Sequence, residues 1–173
     1  MKDISDTFTV RQPTQDDVAA MAAVHVRAWQ QAYRGLISDG ILDAPDLMAS
    51  RLDLWNSVLS DQGSSRRVSA ALARPGVVGI AMAGPATEFP DAWQLTVLYL
   101  LDAYHGSGLG AWLLSSVLPS QVPVFLWVAD PNPRAQAFYR REGFVPDGAV
   151  RSDADVRERR MVRGSRAGCS QDV

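Results

Sequence analysis

The chain has 173 residues, of which 47% are hydrophobic, and this is enough apolar material for one sizeable core in a single domain. Its 17 basic and 19 acidic residues give a formal net charge of -2, so the protein lacks the overall positive field that would attract nucleic acid or an anionic membrane. No apolar run approaches the roughly 18 residues that span a bilayer, and the start of the chain does not resemble a signal peptide. We therefore expect a cytoplasmic protein that acts on a small molecule.

The first half of the chain predicts one strand, two helices and a hairpin. Thr14, followed by the acidic pair Asp16 and Asp17, is expected to cap the first helix, whose apolar residues recur every three or four positions up to Gly35. Two β-prone runs on either side of Arg74-Pro75-Gly76 predict antiparallel strands joined by a tight turn. The predicted elements are a strand at 7–11, helices at 14–35 and 47–59, and hairpin strands at 67–72 and 77–83.

The second half alternates strands with helices. The continuous apolar run at 93–101 predicts a central strand that is buried on both faces. The remaining predicted elements are a helix at 109–118, a strand at 122–128, a helix at 134–142, a strand that begins at Phe144-Val145 and a last strand at 156–162. After Gly164 we expect a disordered tail, in which Cys169, the only cysteine, cannot form an internal disulfide. This order predicts a mixed sheet with helices on both faces over residues 1–163.

A glycine-rich turn from Tyr104 to Ala111 lies between the central strand and the following helix. Gly106, Gly108 and Gly110 allow an anion to approach the backbone, and several N–H groups at the start of the helix can point at it. Three glycines in five positions are more than a simple reversal of the chain requires. The turn therefore predicts a phosphate-binding site.

The same turn also fits a dinucleotide-binding pattern. Gly106, Gly108 and Ala111 have the required spacing, and Asp130 follows roughly twenty residues later. A dinucleotide fold continues through further strand and helix units after its acidic residue, and only about forty residues remain here. The short remaining chain therefore argues against a nicotinamide dinucleotide, although the glycine pattern alone leaves it a competing ligand of the turn.

Two segments carry a resemblance to the GNAT superfamily of N-acetyltransferases. The segment 98–110 resembles the first signature of that family, and 132–139 with Glu142-Gly143-Phe144 resembles the second at the expected distance. The helix that ends in 27–35 is also similar to that of many bacterial members. The resemblance implies an α/β (mixed α+β) fold with a central mixed, mostly antiparallel sheet and helices on both faces. It also implies acyl transfer from acetyl-CoA to the amine of a small molecule or peptide, without a metal, by a monomer or homodimer.

The family pattern assigns cofactor contacts to particular positions. The main chain of Leu98 and Leu100 corresponds to the strand that pairs with the pantetheine arm, and Asn132 corresponds to a residue that hydrogen-bonds this arm. His105 stands where the family has glutamine or arginine. The residues assigned to the cofactor are Leu98, Leu100, His105, Gly106, Ser107, Gly108, Leu109, Gly110, Ala111, Asn132 and Tyr139. Without the family pattern, Asn132 is equally well explained as an ordinary residue at a helix N-terminus.

The resemblance also suggests a mechanism. Tyr139 matches the tyrosine near the sulfur, and a phenol with an ordinary pKa near 10 is protonated at neutral pH and can protonate the leaving thiolate. The N–H of Leu100 is expected to polarise the thioester carbonyl. Tyr139 and Leu100 are therefore the predicted catalytic residues.

The general base and the acceptor site are less well defined. Gln94 stands where many relatives carry glutamate, and an amide cannot accept the proton of the amine. Glu88 and Asp91 acting through water, or His25, are the alternative bases, and each also has a purely structural explanation. The resemblance points to Trp29, Tyr33 and Gln94 as acceptor contacts, although Trp29 and Tyr33 also suit core packing. Because Gln94 replaces the usual base, a non-catalytic acyl-CoA-binding module is the alternative function.

Overall fold

The computed structural model describes residues 7–61, 63–74, 76–153 and 156–164. The helices are α1 (Val18–Tyr33), α2 (Asp39–Leu42), α3 (Leu47–Ser60), α4 (Leu109–Val117) and α5 (Pro133–Arg141). The strands are β1 (Thr9–Arg11), β2 (Arg67–Ala73), β3 (Gly76–Pro85), β4 (Trp93–Leu100), β5 (Val124–Ala129), β6 (Val145–Asp153) and β7 (Val156–Arg163). The expectations for the chain start, for Pro75 in the hairpin turn and for the tail with Cys169 lie outside the described residues. No helix in the described ranges is long and apolar enough to cross a membrane.

The strands of the described chain form a sheet in the order β1-β2-β3-β4-β5-β7-β6. The pairs β1–β2, β5–β7 and β6–β7 are antiparallel, whereas β4 and β5 run parallel over Trp93–Leu95 and Val124–Leu126. This arrangement confirms the predicted mixed, mostly antiparallel sheet. The order departs from the sequence order only at its end, where β7 lies between β5 and β6.

The chain divides into two compact units, and strands β3 and β4 run through both of them. The first unit contains the residues up to Met82 together with Val97–Val117, and the second contains Ala83–Thr96 together with the residues from Leu118 onward. The expected single domain over residues 1–163 remains a prediction.

The first unit has its core between helices α1 and α3 and the strands beneath them. Its buried members are Val18, Met21, Ala22, Val24, Trp55, Val58, Ile80, Met82 and Val97. The start of α1 is fixed by Asp17, whose carboxylate accepts two hydrogen bonds from the Arg11 guanidinium, at 2.7 and 2.8 Å, and one from the Thr14 N–H at 2.8 Å. These donors lower the pKa of Asp17 to about 2, with the Arg11 hydrogen bonds as the largest cause. Thr14 was predicted to cap the first helix by itself, and in the structure Asp17 contributes to this cap as well.

Glycine at position 79 allows strand β3 to approach its neighbours closely. A Cβ atom at this position would lie 2.8 Å from Leu100 Cδ1, 3.1 Å from the Tyr99 carbonyl oxygen and 3.3 Å from Leu113 Cδ2. Any larger residue would clash with the last residues of β4 and with α4. Gly79 therefore helps to set the position of the strand end that leads into the glycine-rich turn.

The burial of β4 differs from the prediction. Leu95 and Val97 are buried, but Thr96 between them is exposed, and Leu98 and Leu100 are only half-buried. The strand therefore has one covered face and one partly open face. The sequence did not show this alternation, because apolar residues occupy most positions of the strand. Helix α2 was not among the elements predicted from the sequence.

Candidate active site

The end of β4 has a main-chain edge that points away from β3. The N–H of Leu101 donates to the Val78 carbonyl at 3.0 Å, so Leu101 and, two positions earlier, Tyr99 direct their main-chain groups toward β3. Leu98 and Leu100 alternate with these positions, so their main-chain groups point to the edge of β4 that faces away from β3. The pantetheine contacts predicted for these two residues require this orientation.

His105 closes the turn that follows β4. Its Nε2–H donates to the Leu100 carbonyl at 3.0 Å, and its Nδ1 lies 3.2 Å from the Asp102 carboxylate. The side chain is therefore tied to the strand end and to the short turn Asp102–Tyr104. These two contacts allow His105 to stabilise the conformation of the loop.

The glycine-rich turn presents donors at the N-terminus of α4. Gly106 and Gly108 have φ angles of 77° and 85°, in the left-handed region that glycine adopts without strain. Within the described residues, no hydrogen bond is donated by the N–H groups of Gly106, Ser107, Gly108 or Gly110. The Ala111 N–H is already used, because it donates to the Gly108 carbonyl at 3.1 Å. The unpaired N–H groups at a helix N-terminus suit a phosphate.

Three side chains hold this turn in place. The Ser107 hydroxyl donates to the Tyr104 carbonyl at 2.7 Å and accepts from the Leu109 N–H at 3.3 Å. On α1, Gln31 Oε1 accepts the Asp102 N–H at 3.2 Å, and the rings of Phe8 and Tyr104 meet edge to face with their centroids 6.0 Å apart. Sequence reasoning missed Gln31 and Phe8, because no local pattern marks a residue that supports a loop about seventy or more positions away.

In the second unit, Asn132 caps helix α5. Its Oδ1 accepts the Ala135 N–H at 3.0 Å, as the structural explanation of this residue requires. Its side-chain N–H₂ group forms no hydrogen bond within the described chain. The cap therefore leaves the N–H₂ group unused, which is compatible with the predicted hydrogen bond between Asn132 and the pantetheine arm.

Tyr139 lies on the same helix. Its ring is half-buried and packs edge to face on Phe138 and Phe144, with centroid separations of 5.3 and 5.8 Å. Gly143, with φ of 87°, lies just after the end of the helix, and the Phe144 N–H returns to the Tyr139 carbonyl at 2.9 Å. The aromatic neighbours fix the direction of the Tyr139 ring, a requirement for a proton donor.

His25 is unsuited to the role of a general base. Its side chain is only 6% exposed and contacts the rings of Tyr99 and Trp55, with centroids 4.9 and 5.8 Å away. Burial and, second, the positive charge of Arg51 lower the pKa of His25 to about 3. The neutral imidazole is therefore a weak proton acceptor at neutral pH. Its Nδ1 also has no hydrogen-bond partner within the described chain.

The predicted acceptor residues are divided between the units. Trp29 and Tyr33 lie on α1 of the first unit, with ring centroids 5.9 Å apart, and the Arg51 guanidinium lies 5.7 Å from the Trp29 centroid. Gln94 lies in the second unit, half-buried and in register with Phe125 of β5. Glu88 and Asp91 are exposed in the segment that precedes β4.

Comparison with known proteins identifies related sequences and folds. Residues 17–144 match the sequence profile of the Acetyltransferase (GNAT) family. The probable N-acetyltransferase Rv2775 of Mycobacterium tuberculosis is 28% identical over 144 residues, which are 80% of each chain. The uncharacterized N-acetyltransferase YuaI of Bacillus subtilis is 26% identical over 156 residues, covering 86% of this chain and 85% of that protein.

Among solved structures, the PaiA N-acetyltransferase from Thermoplasma acidophilum, in complex with coenzyme A, has the same fold. Its TM-score is 0.73 at 19% identity, with 91% of this chain and 99% of that chain covered. At this identity the likeness concerns the fold.

We expect the buried His25 to make stability depend on pH. Its folded pKa of about 3 lies below the ordinary 6.5, so the unfolded chain takes up this proton first. The contribution is complete above about pH 6.5 and is lost as the pH falls toward 3, by at most about 1.4 kcal/mol per pH unit. Urea unfolding of the parent and of His25→Phe across this range measures it. An equal loss of stability in both proteins would contradict the assignment.

The two functions of the Asn132 side chain can be separated by substitution. Asn132→Ser keeps an oxygen that caps α5 but removes the N–H₂ donor, so we expect parental stability and about threefold to tenfold weaker binding of acetyl-CoA. Asn132→Ala removes both groups and is expected to lose about 1 kcal/mol of unfolding free energy as well. Thermal unfolding and calorimetric titration measure the two effects. Parental acetyl-CoA affinity in Asn132→Ser would limit this residue to a capping role.

Proposed function

Since the chain belongs to the GNAT family of acetyltransferases, we propose that it transfers an acetyl group from acetyl-CoA to the amine of a small molecule or peptide, by direct attack in a ternary complex. The family uses acetyl-CoA, which supplies a thioester with a good leaving group. The observation that carries the proposal is the set of unpaired N–H groups in the turn before α4. Four such donors, held by left-handed glycines, fit the pyrophosphate of coenzyme A.

Four further residues take part in the proposed reaction. The outward main-chain edge at Leu98 and Leu100 pairs with the pantetheine arm in the manner of an added strand. The Leu100 N–H donates to the thioester carbonyl oxygen, where negative charge develops during attack. The Tyr139 hydroxyl gives its proton to the departing sulfur. Gln94 orients the acceptor or a water molecule, because its amide can both donate and accept hydrogen bonds.

A non-catalytic acyl-CoA-binding module is the second candidate, favoured by the amide at Gln94 and by the depressed pKa of His25. Both functions predict binding of acetyl-CoA, and only the transferase predicts release of free coenzyme A. Incubation with acetyl-CoA and a panel of amines, amino acids, peptides and aminoglycosides, followed by thiol detection, separates them. Tight binding without thiol release from any acceptor would favour the module. Binding of a nicotinamide dinucleotide in preference to acetyl-CoA would exclude both the transferase and the acyl-CoA-binding module.

We expect Gly106→Ala to weaken acetyl-CoA binding through backbone conformation alone. A Cβ at Gly106 would meet nothing within 4 Å, but an alanine at a φ of 77° is disfavoured by about 1–2 kcal/mol. If the free variant relieves this strain by changing the conformation of the turn, binding of acetyl-CoA must restore the strained conformation. The affinity for acetyl-CoA then falls by about fivefold to thirtyfold. Gly148→Ala is the matched control, since Gly148 has a φ of 92° and equally open surroundings. A control variant that loses as much affinity would show that the turn has no special part in binding.

We expect Tyr139→Phe to lose turnover and to retain acetyl-CoA affinity. The phenyl ring preserves the packing on Phe138 and Phe144, whereas the proton donor is gone, and general acid catalysis contributes about 10²- to 10⁴-fold in rate. The comparison needs an acceptor found in the thiol-release assay and a titration with acetyl-CoA. Turnover as fast as that of the parent would exclude Tyr139 as the general acid.

A further inference from the structure

One face of the sheet in the second unit carries Gln94 together with side chains that have no task in the proposed reaction so far. Gln94 of β4 is in register with Phe125 of β5, and Trp127, two positions along β5, is in register with Arg160 of β7. Residues in register share a face, and positions two apart along a strand share it as well. Gln94, Phe125, Trp127 and Arg160 therefore project from the same face.

Aromatic rings surround the guanidinium on this face. The Arg160 Cζ atom lies 4.9 Å from the ring centroid of Phe89, 5.8 Å from that of Trp127 and 5.9 Å from that of Phe125. Phe89, in the segment between β3 and β4, meets Phe125 edge to face at 5.4 Å and is still 40% exposed. An exposed phenylalanine beside a guanidinium offers a ligand both an apolar wall and a cation.

Arg160 keeps part of its hydrogen-bonding capacity free. Its Nε donates to Asp147 Oδ2 at 2.7 Å, whereas its two terminal nitrogens donate to no residue of the described chain. Arg34 is the opposite case, since both of its terminal nitrogens bind Asp43, at 2.8 Å each. The planar pair of terminal nitrogens on Arg160 matches the two oxygens of a carboxylate.

Two neutral donors accompany this guanidinium. The Trp127 Nε1–H is buried without a hydrogen-bond partner within the described chain, and the Gln94 amide likewise binds no described residue. The acids on this face are already occupied, Asp147 by Arg160 and Glu158 by Arg151, each at 2.7 Å. The face therefore has hydrogen-bond donors without partners in the described chain, and it favours an anionic, planar group over an ammonium group.

We propose that this face, formed by Phe89, Gln94, Trp127 and Arg160, binds the carboxylate of the acceptor, which is therefore an amino acid or a short peptide and not a simple amine or polyamine. The inference rests on the proposed transferase function. The terminal nitrogens of Arg160 take the carboxylate, and Phe89 contacts the apolar part of the acceptor. Gln94 belongs to the same face and stands where relatives carry their acceptor-side glutamate, so it lies toward the amine.

A direct test compares ligands that differ only in the carboxylate. The protein is saturated with coenzyme A and titrated calorimetrically with a panel of N-acetyl amino acids and with the corresponding N-acetyl amino acid amides. A charged, bidentate contact predicts that the preferred acid binds about tenfold to hundredfold more tightly than its amide. Equal affinity for acids and amides across the panel, or no binding of either, would overturn the inference.

Variants assign the preference to Arg160. Arg160→Gln is expected to abolish the difference between acid and amide, Arg160→Lys to keep only part of it, and Trp127→Phe to reduce it to a smaller extent. Arg157→Gln is the matched control, because Arg157 is on the same strand, projects from the opposite face and is 66% exposed beside Asp130. Parental coenzyme A affinity shows that each variant is folded. An unchanged preference in Arg160→Gln, or an equal loss in Arg157→Gln, counts against the site.

Thiol release with acetyl-CoA then distinguishes the failure of this inference from the failure of the proposed function. Release with amines such as phenethylamine, but not with the corresponding amino acids, would overturn the carboxylate site and leave the transferase intact. Acid-selective binding without release from any acceptor would support the site and remove the transferase. Release that prefers amino acids by about tenfold or more in kcat/KM, and that loses this preference in Arg160→Gln, supports both.

Discussion

The pairing of β3 with the end of β4 is the constraint on which the cofactor site depends. The hydrogen bond from the Leu101 N–H to the Val78 carbonyl fixes which main-chain groups of β4 face inward. It follows that Leu98 and Leu100 present theirs to the other edge. Gly79 makes this pairing possible, since a Cβ at that position would come within 2.8 Å of the Leu100 side chain. The chain then enters the glycine-rich turn from a defined point, and His105 secures that point through the Leu100 carbonyl.

The parts of the site that sequence reasoning found are local. The glycines at 106 and 108 are recognisable because left-handed backbone and close approach of a phosphate both require them within a few residues of a helix start. Asn132 and Tyr139 are recognisable because they belong to one short helix whose sequence resembles a family signature. The alternation of strands and helices also predicted the mixed sheet, since short apolar runs and helical periodicity survive in a single sequence.

The parts that sequence reasoning missed depend on register between distant strands. Nothing near Arg160 indicates that Trp127 lies beside it, because only the pairing of β5 with β7 brings them together. Gln31 and Phe8 support the glycine-rich turn although both are distant from it in sequence. The partly open face of β4 could not be recognised, because the strand is a nearly continuous apolar run in the sequence. The depressed pKa of His25 is likewise a product of packing, because the helical position of a histidine does not reveal that aromatic rings and an arginine will surround it.

The charges around Gln94 bear on the missing base. A carboxylate at position 94 would favour the protonated ammonium form of an acceptor and would repel the acceptor's own carboxylate. An amide does neither. The attacking neutral amine would then need only water, or one of the exposed acids Glu88 and Asp91, to take its proton. The replacement of glutamate by glutamine is thus compatible with catalysis for an acceptor that brings its own negative charge.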